Sequence, residues 1–186
     1  GYPDGSFKPQ GNITRAEAAT VIVRALGLEA AAQAAKGLGT KFSDVPASHW
    51  ASGYINVCTT KGILKGYPDG TFKPSANITG AEIITMIVRA LNREYQAVGE
   101  WPIGHITVAA AEKIVGSGFV SNAPATRGQV AEYVAKASEV VFGELTTNGW
   151  VVPTTGGKTF VSSSGFTLNP TDAVLIESVD TTEKTL

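Results

Sequence analysis

Apolar positions recur at helical spacing in two kinds of segment along this chain. In the first kind, Val21, Ile22, Ala25 and Leu26 share one helical face after a polar start at Arg15, and Gly27 closes the segment. The same face returns after Gly80, with Ile87-Val88-Arg89-Ala90-Leu91 standing where Ile22-Val23-Arg24-Ala25-Leu26 stood. In the second kind, Trp50, Tyr54, Val57 and Cys58 fall on one stripe that runs to Gly62, a residue suited to a helix C-terminus. The pattern predicts units of helix, loop, helix. Beyond Phe142 the helical period vanishes. Trp150-Val151-Val152, Thr159-Phe160-Val161 and Ala173-Val174-Leu175-Ile176 read as short strands there, with Gly156-Gly157 and Asn169-Pro170-Thr171-Asp172 as turns.

The loops repeat more closely than the helices. GYPDGSFKPQGNITRAE at the start is matched by GYPDGTFKPSANITGAE from Gly66. A fainter third copy places Ala125-Thr126-Arg127-Gly128-Gln129 where Ile13-Thr14-Arg15-Ala16-Glu17 stood, and Trp101-Pro102-Ile103-Gly104-His105-Ile106 echoes Trp50-Ala51-Ser52-Gly53-Tyr54-Ile55. Pro-Asp-Gly is turn chemistry, because proline presets one dihedral and glycine accepts a positive one. Thr14 with Glu17, Thr79 with Glu82, and Thr126 with Gln129 each form the threonine-x-x-Glu/Gln signature of a capping box. Turn and cap together account for the copied Pro, Asp, Gly, Thr and Glu with no ligand. They do not account for Arg15 and Arg127, which put a cation in the first turn against the helix dipole. Such a cation calls for a compensating anion, either a ligand's or a neighbouring carboxylate.

Composition removes several classes of function. With 186 residues, 43% of them hydrophobic, the chain can bury a core as one large domain or two small ones. The formal net charge of −1 and the absence of a basic run give nothing for nucleic acid to bind. No apolar run approaches the roughly 20 residues of a membrane span. No signal peptide is expected, since residue 1 already lies in a turn motif, and the chain reads as a mature or trimmed product or a fragment. Cys58 is alone, which excludes an intramolecular disulfide and reads as a small buried hydrophobe. Asp4 and Asp69 lack calcium-loop ligand spacing. Glu17 and Glu82 sit in caps, which argues against glycosidase acids. No catalytic pair, metal cluster or cofactor motif is present, so the chain is expected not to be an enzyme and to hold no cofactor.

The order of these pieces is familiar. FSDVPASHWASGYINVCTTKGILKGYPDGTFKPSANITGAEIITMIVRAL, from Phe42 to Leu91, resembles one complete S-layer homology repeat. Gly1 to Leu26 is similar to the second half of a preceding repeat, and Trp101 to about Phe142 to a divergent third. The resemblance implies a mainly α fold of pseudo-threefold helical repeats, with a short β-rich C-terminal segment. The organisation expected is residues 1–41 as the second half of repeat one plus connector, 42–99 as repeat two, 100–143 as repeat three, and 144–186 as a β-rich tail or the start of a downstream β region.

The resemblance also implies a function: an extracellular, non-covalent anchor in the cell wall or S-layer, whose inter-repeat grooves bind an anionic, pyruvylated secondary cell-wall polysaccharide. The family's groove residues carry over to Arg15 and Arg127 as anion forks, to Trp50 and Trp101 as sugar platforms, and to Tyr2, Asp4, Gly5, Tyr67, Asp69 and Gly70 in the loops. An arginine beside free helix N-terminal N–H groups would suit a pyruvate ketal's carboxylate. Gly80 stands where repeat two should have arginine, repeat three has lost the Tyr-Pro-Asp-Gly loop and carries Gln129, and repeat one lacks its first helix. The alternative reading is a self-assembling subunit of a surface lattice or filament, its partners copies of itself and its tail making intersubunit strands.

Overall fold

The computed structural model describes residues 1–2 and 4–140, and the backbone of 145–146, 149–150, 160–161 and 167–168. Its helices are α1 (Arg15–Ala25), α2 (Glu29–Ala34), α3 (Ser52–Thr60), α4 (Gly80–Ala90), α5 (Ile103–Ala111) and α6 (Arg127–Ala137), with a 3-10 turn at Glu94–Gln96. The fold is mainly α, as the periodicity predicts. Leu145–Thr146 pairs antiparallel with Gly149–Trp150, and Phe160–Val161 with Thr167–Leu168. The turn at Gly156-Gly157 and the strand expected at 173–176 lie outside the described residues.

All three capping boxes form. Thr14, Thr79 and Thr126 each accept from the backbone N–H three residues on, and Glu17, Glu82 and Gln129 reach back to the cap's own N–H. Just before each cap, the chain is extended and pairs with both neighbours. Ile13 N–H donates to the Ala125 carbonyl at 3.2 Å, Ala125 to Ile78 at 2.8 Å, and Ile78 to Ile13 at 3.0 Å. These three bonds close a ring around a pseudo-threefold axis, and Ile13, Ile78 and Ala125 are buried on it. Helices α1, α4 and α6 radiate from that ring with equivalent starts.

The next two N–H groups of each helix are satisfied by the neighbouring loop. Arg15 and Ala16 donate to the carbonyls of Ala76 and Pro74, Gly80 and Ala81 to Ala123 and Ser121, and Arg127 and Gly128 to Gly11 and Pro9, all within 3.0 Å. This corrects the expectation of free helix N-terminal N–H groups for an anion. The donors that a helix leaves orphaned are used here to weld one repeat to the next.

Helix α4 carries the core, burying Ile83, Ile84, Ile87 and Val88, each of which contributes about 1.5–3 kcal/mol by leaving water. Helix α3 packs on α1 and α2, and α5 on α4. A Cβ on Gly53 would lie 2.0 Å from the Ala32 carbonyl oxygen, so glycine is what lets α2 lie against α3. One detail differs from the sequence reading. Helix α3 starts at Ser52, just past the tryptophan, after a turn in which the His49 Nδ1 accepts from Ala51 N–H. Trp50 therefore leaves the expected core stripe and is 54% exposed. On α6 only Val130, Tyr133 and Ala137 are buried. The positions matching buried Ala19 and Val23 are the exposed Ala131 and Ala135, whose small size keeps the uncovered apolar area low.

Candidate functional site

The two arginines expected as anion forks have protein partners. Arg15 is 7% exposed. Its Nε donates to the Phe72 carbonyl at 2.7 Å, and its Nη1 pairs with Glu82 Oε1. Its guanidinium lies 4.7 Å and 4.8 Å from the ring centres of Tyr67 and Phe72. Glu82 serves two helices at once: Oε2 caps α4, while Oε1 receives Arg15 and the Tyr67 hydroxyl. Burial alone would raise the Glu82 carboxyl, but the Thr79 N–H and Arg15 outweigh it and hold it below its ordinary value. Tyr67 is pushed up by burial and by its bond to that carboxylate.

Arg127 repeats the arrangement one repeat over. Its Nε donates to the Phe7 carbonyl at 2.8 Å, its Nη1 lies 3.5 Å from Glu17 Oε1, and Tyr2 and Phe7 flank its guanidinium at 4.6 Å and 5.2 Å. The compensating anion is thus a carboxylate of the neighbouring repeat in both cases. Asp4 and Asp69 tie their own turns, each accepting from the N–H and hydroxyl two residues on, Ser6 and Thr71. Those donors hold both carboxyls below their ordinary value. Gly5 and Gly70 supply the positive φ, +77° and +78°, that these turns require. The loop residues and arginines therefore come together, as Tyr–Arg–Glu interlocks between repeats.

The third junction is closed. A Cβ at Gly80 would meet the Val120 carbonyl oxygen at 2.3 Å and the Phe119 ring at 3.2 Å. No arginine fits there. The capping residue that would pair with it is the neutral Gln129, so cation and carboxylate are missing together.

The tryptophans lie elsewhere, against the helix flanks. Thr20 and Arg24 of α1, Ala32 and Gln33 of α2, Lys36, and Trp50, Gly53 and Tyr54 around α3 line a groove of ≈ 210 Å³. Its wall combines a flat exposed indole with two cations, an amide, a phenol and a hydroxyl. Aromatic faces cover the C–H surfaces of a sugar ring, and fixed donors read its oxygens and any carboxylate. Trp101 takes the equivalent place beside α4, 56% exposed, with its Nε1 donating to Thr85 Oγ1 at 2.9 Å. There Arg89 matches Arg24 and His105 matches Tyr54. His105 is buried and its Nε2 makes no hydrogen bond; burial and then Arg89 lower its pKa against the pull of Glu94. Sequence reasoning missed Arg24, Gln33 and Lys36. The repeat of Arg24 as Arg89 is the signal that could have found the first of them.

A family model of the S-layer homology domain matches residues 1–19 and 41–84. This chain carries S-layer homology repeats. It is 41% identical over 140 residues to the middle cell wall protein of Brevibacillus brevis, covering 75% of this chain and 13% of that protein. It is 48% identical over 102 residues to a surface layer protein of Brevibacillus choshinensis, covering 55% of this chain and 9% of the relative. A cellulosome-anchoring protein of Acetivibrio thermocellus is 44% identical over 93 residues, 50% of this chain and 21% of that protein. The chain thus spans a small fraction of the length of these curated relatives. The family match and these relatives indicate a cell-surface, wall-associated protein. Among the described residues, no helix is long and apolar enough to cross a membrane.

Proposed function

We propose that repeats within residues 1–143 hold a surface protein on the bacterial wall by binding an anionic, pyruvylated wall polysaccharide without a covalent bond. The observation that carries this reading is the Trp50 groove: an exposed indole beside Arg24, Lys36, Gln33 and Tyr54 at the junction of α1, α2 and α3. Trp101 offers a second platform. Arg15 and Arg127, with Tyr2, Asp4, Gly5, Tyr67, Asp69 and Gly70, set the angle between repeats and hence the shape of the grooves; a sugar can contact the outer edges of these interlocks. An anchor of this kind needs no catalytic group, and the work of the module is recognition. The wall-protein and anchoring names of its relatives support the reading.

The test is titration of the full chain with purified wall polysaccharide, native and after mild-acid removal of pyruvate. Binding that falls about tenfold or more when the pyruvate is removed supports the proposal, since one charge-assisted pair is of that size. A folded chain that binds neither form refutes it and favours assembly into a lattice.

A further inference from the structure

Three of the polar side chains that line the Trp50 groove converge on one carboxylate. Arg24 donates to Glu29 from Nε at 2.8 Å and from Nη2 at 3.4 Å, Gln33 donates from Nε2 at 3.2 Å, and the Tyr54 hydroxyl donates to the same Oε1 as Gln33. A guanidinium fork, a phenol and an amide around a carboxylate are the donors that a carboxylate-bearing sugar would need. We propose that Glu29 is an internal gate: it occupies the groove's anion receptor, and the carboxylate of an incoming saccharide displaces it. This rests on the polysaccharide-binding reading for its ligand and on the geometry for the gate itself.

The pair is placed to exchange. The Arg24 side chain is 61% exposed and that of Glu29 41%, so water and an incoming anion can reach both, and solvent screens the pair. Lys36, also in the groove wall, makes no ion pair among the described residues and adds a second positive charge once Glu29 swings away. The matching pair in the second groove is built differently. Arg89 is 14% exposed and bonds Glu94 from Nε and Nη2, both at 2.8 Å, while Lys65 and His105 approach the same carboxylate oxygen at 3.5 Å and 3.6 Å. Arg89 is largely shielded from water where Arg24 is not, so the Arg89–Glu94 pair exchanges less readily and that gate stays shut. The two grooves are therefore unequal, and the Trp50 groove is the one that selects charged over neutral saccharide.

Glu29→Gln keeps an acceptor for Gln33 and Tyr54 but gives up the charge on Arg24. Full-length wild type and Glu29→Gln are titrated with native and pyruvate-free polysaccharide, and separately with sodium pyruvate at constant ionic strength, following the Arg24 side-chain Nε–H resonance by NMR. The gate predicts about threefold tighter binding of native polysaccharide and of pyruvate by Glu29→Gln, the size expected of one exposed ion pair, with pyruvate-free polysaccharide unaffected. Unchanged or weaker pyruvate binding overturns the gate and makes Glu29 a positioning residue for Arg24. Pyruvate responding as predicted while wild type ignores both polysaccharides leaves the gate standing and refutes the polysaccharide reading. If Glu29→Gln lowers the melting temperature, Glu29→Ala serves as the second variant under the same criteria.

Discussion

Arg15 and Phe72, 57 positions apart in the chain, are joined by a 2.7 Å hydrogen bond from the arginine Nε to the phenylalanine carbonyl. With the Glu82 pair, that bond makes a first-turn arginine part of the frame between repeats. Arg15→Ala is expected to cost about 3 kcal/mol of stability, because it leaves Glu82 part-buried without its cation. Arg127→Ala should cost less, since its ion pair is longer, 3.5 Å, and more exposed. Urea unfolding monitored by circular dichroism checks both; an Arg15→Ala chain as stable as wild type would show that the pair does not hold the frame.

Gly80→Ala should destabilise by about 2 kcal/mol or more, since its Cβ would be forced within 2.3 Å of a backbone oxygen that cannot move without opening the repeat-three loop. Gly5→Ala meets nothing within 4 Å and is strained only by its φ of +77°, for which about 1 kcal/mol is expected. Comparing the two by thermal melting separates steric closure from turn strain.

Thr79→Ala removes the cap that bonds Glu82 N–H and should cost about 1 kcal/mol. A melting temperature equal to wild type would mean that α4, the most buried helix, is held by packing alone.

These caps were legible in the sequence because a capping box is local, three residues from donor to acceptor. So were the Gly27 and Gly62 stops, which take φ of +70° and +69°, and the buried state of Cys58. Arginine partners were not legible in the same way. Arg15 meets Tyr67, Phe72 and Glu82, and Arg127 meets Tyr2, Phe7 and Glu17, through a cyclic register that appears only once the three-bond ring of Ile13, Ile78 and Ala125 is closed. One trace was present: Gly80 and Gln129 lose the cation and the carboxylate of one interlock together. The groove was half legible. Trp50 could be named from its repeat, but Gln33 and Lys36 come from an alanine-rich connector that carried no visible chemistry, and they reach the site because Gly53 admits α2 against α3.

Burial pushes the Cys58 thiol up to about 12, so no thiolate forms near neutral pH. A disulfide reagent should leave the native chain unmodified at about pH 8 and react at once in urea. Rapid native labelling would mean that α3 separates from α1, where Sγ lies 3.7 Å from the Ala19 carbonyl oxygen.

Glu29 is held down to about 2 from its ordinary 4.5, first by Arg24 and then by Tyr54. A depressed carboxyl adds stability above its unfolded value and loses it as pH falls through the folded one. The wild-type melting temperature should therefore decline between about pH 5 and pH 2 more steeply than that of Glu29→Gln. Parallel declines would show that Arg24 does not hold the carboxylate in solution.

The central claim is that the Trp50 groove reads the wall polysaccharide. Trp50 is exposed and its ring stacks on that of His49, 5.8 Å between centres, so Trp50→Ala should leave folding intact. Calorimetric titration of that variant with native wall polysaccharide tests the claim most directly. The account predicts affinity lowered by about tenfold or more, as for the loss of a central aromatic contact, at an unchanged melting temperature. Wild-type affinity in Trp50→Ala would contradict it.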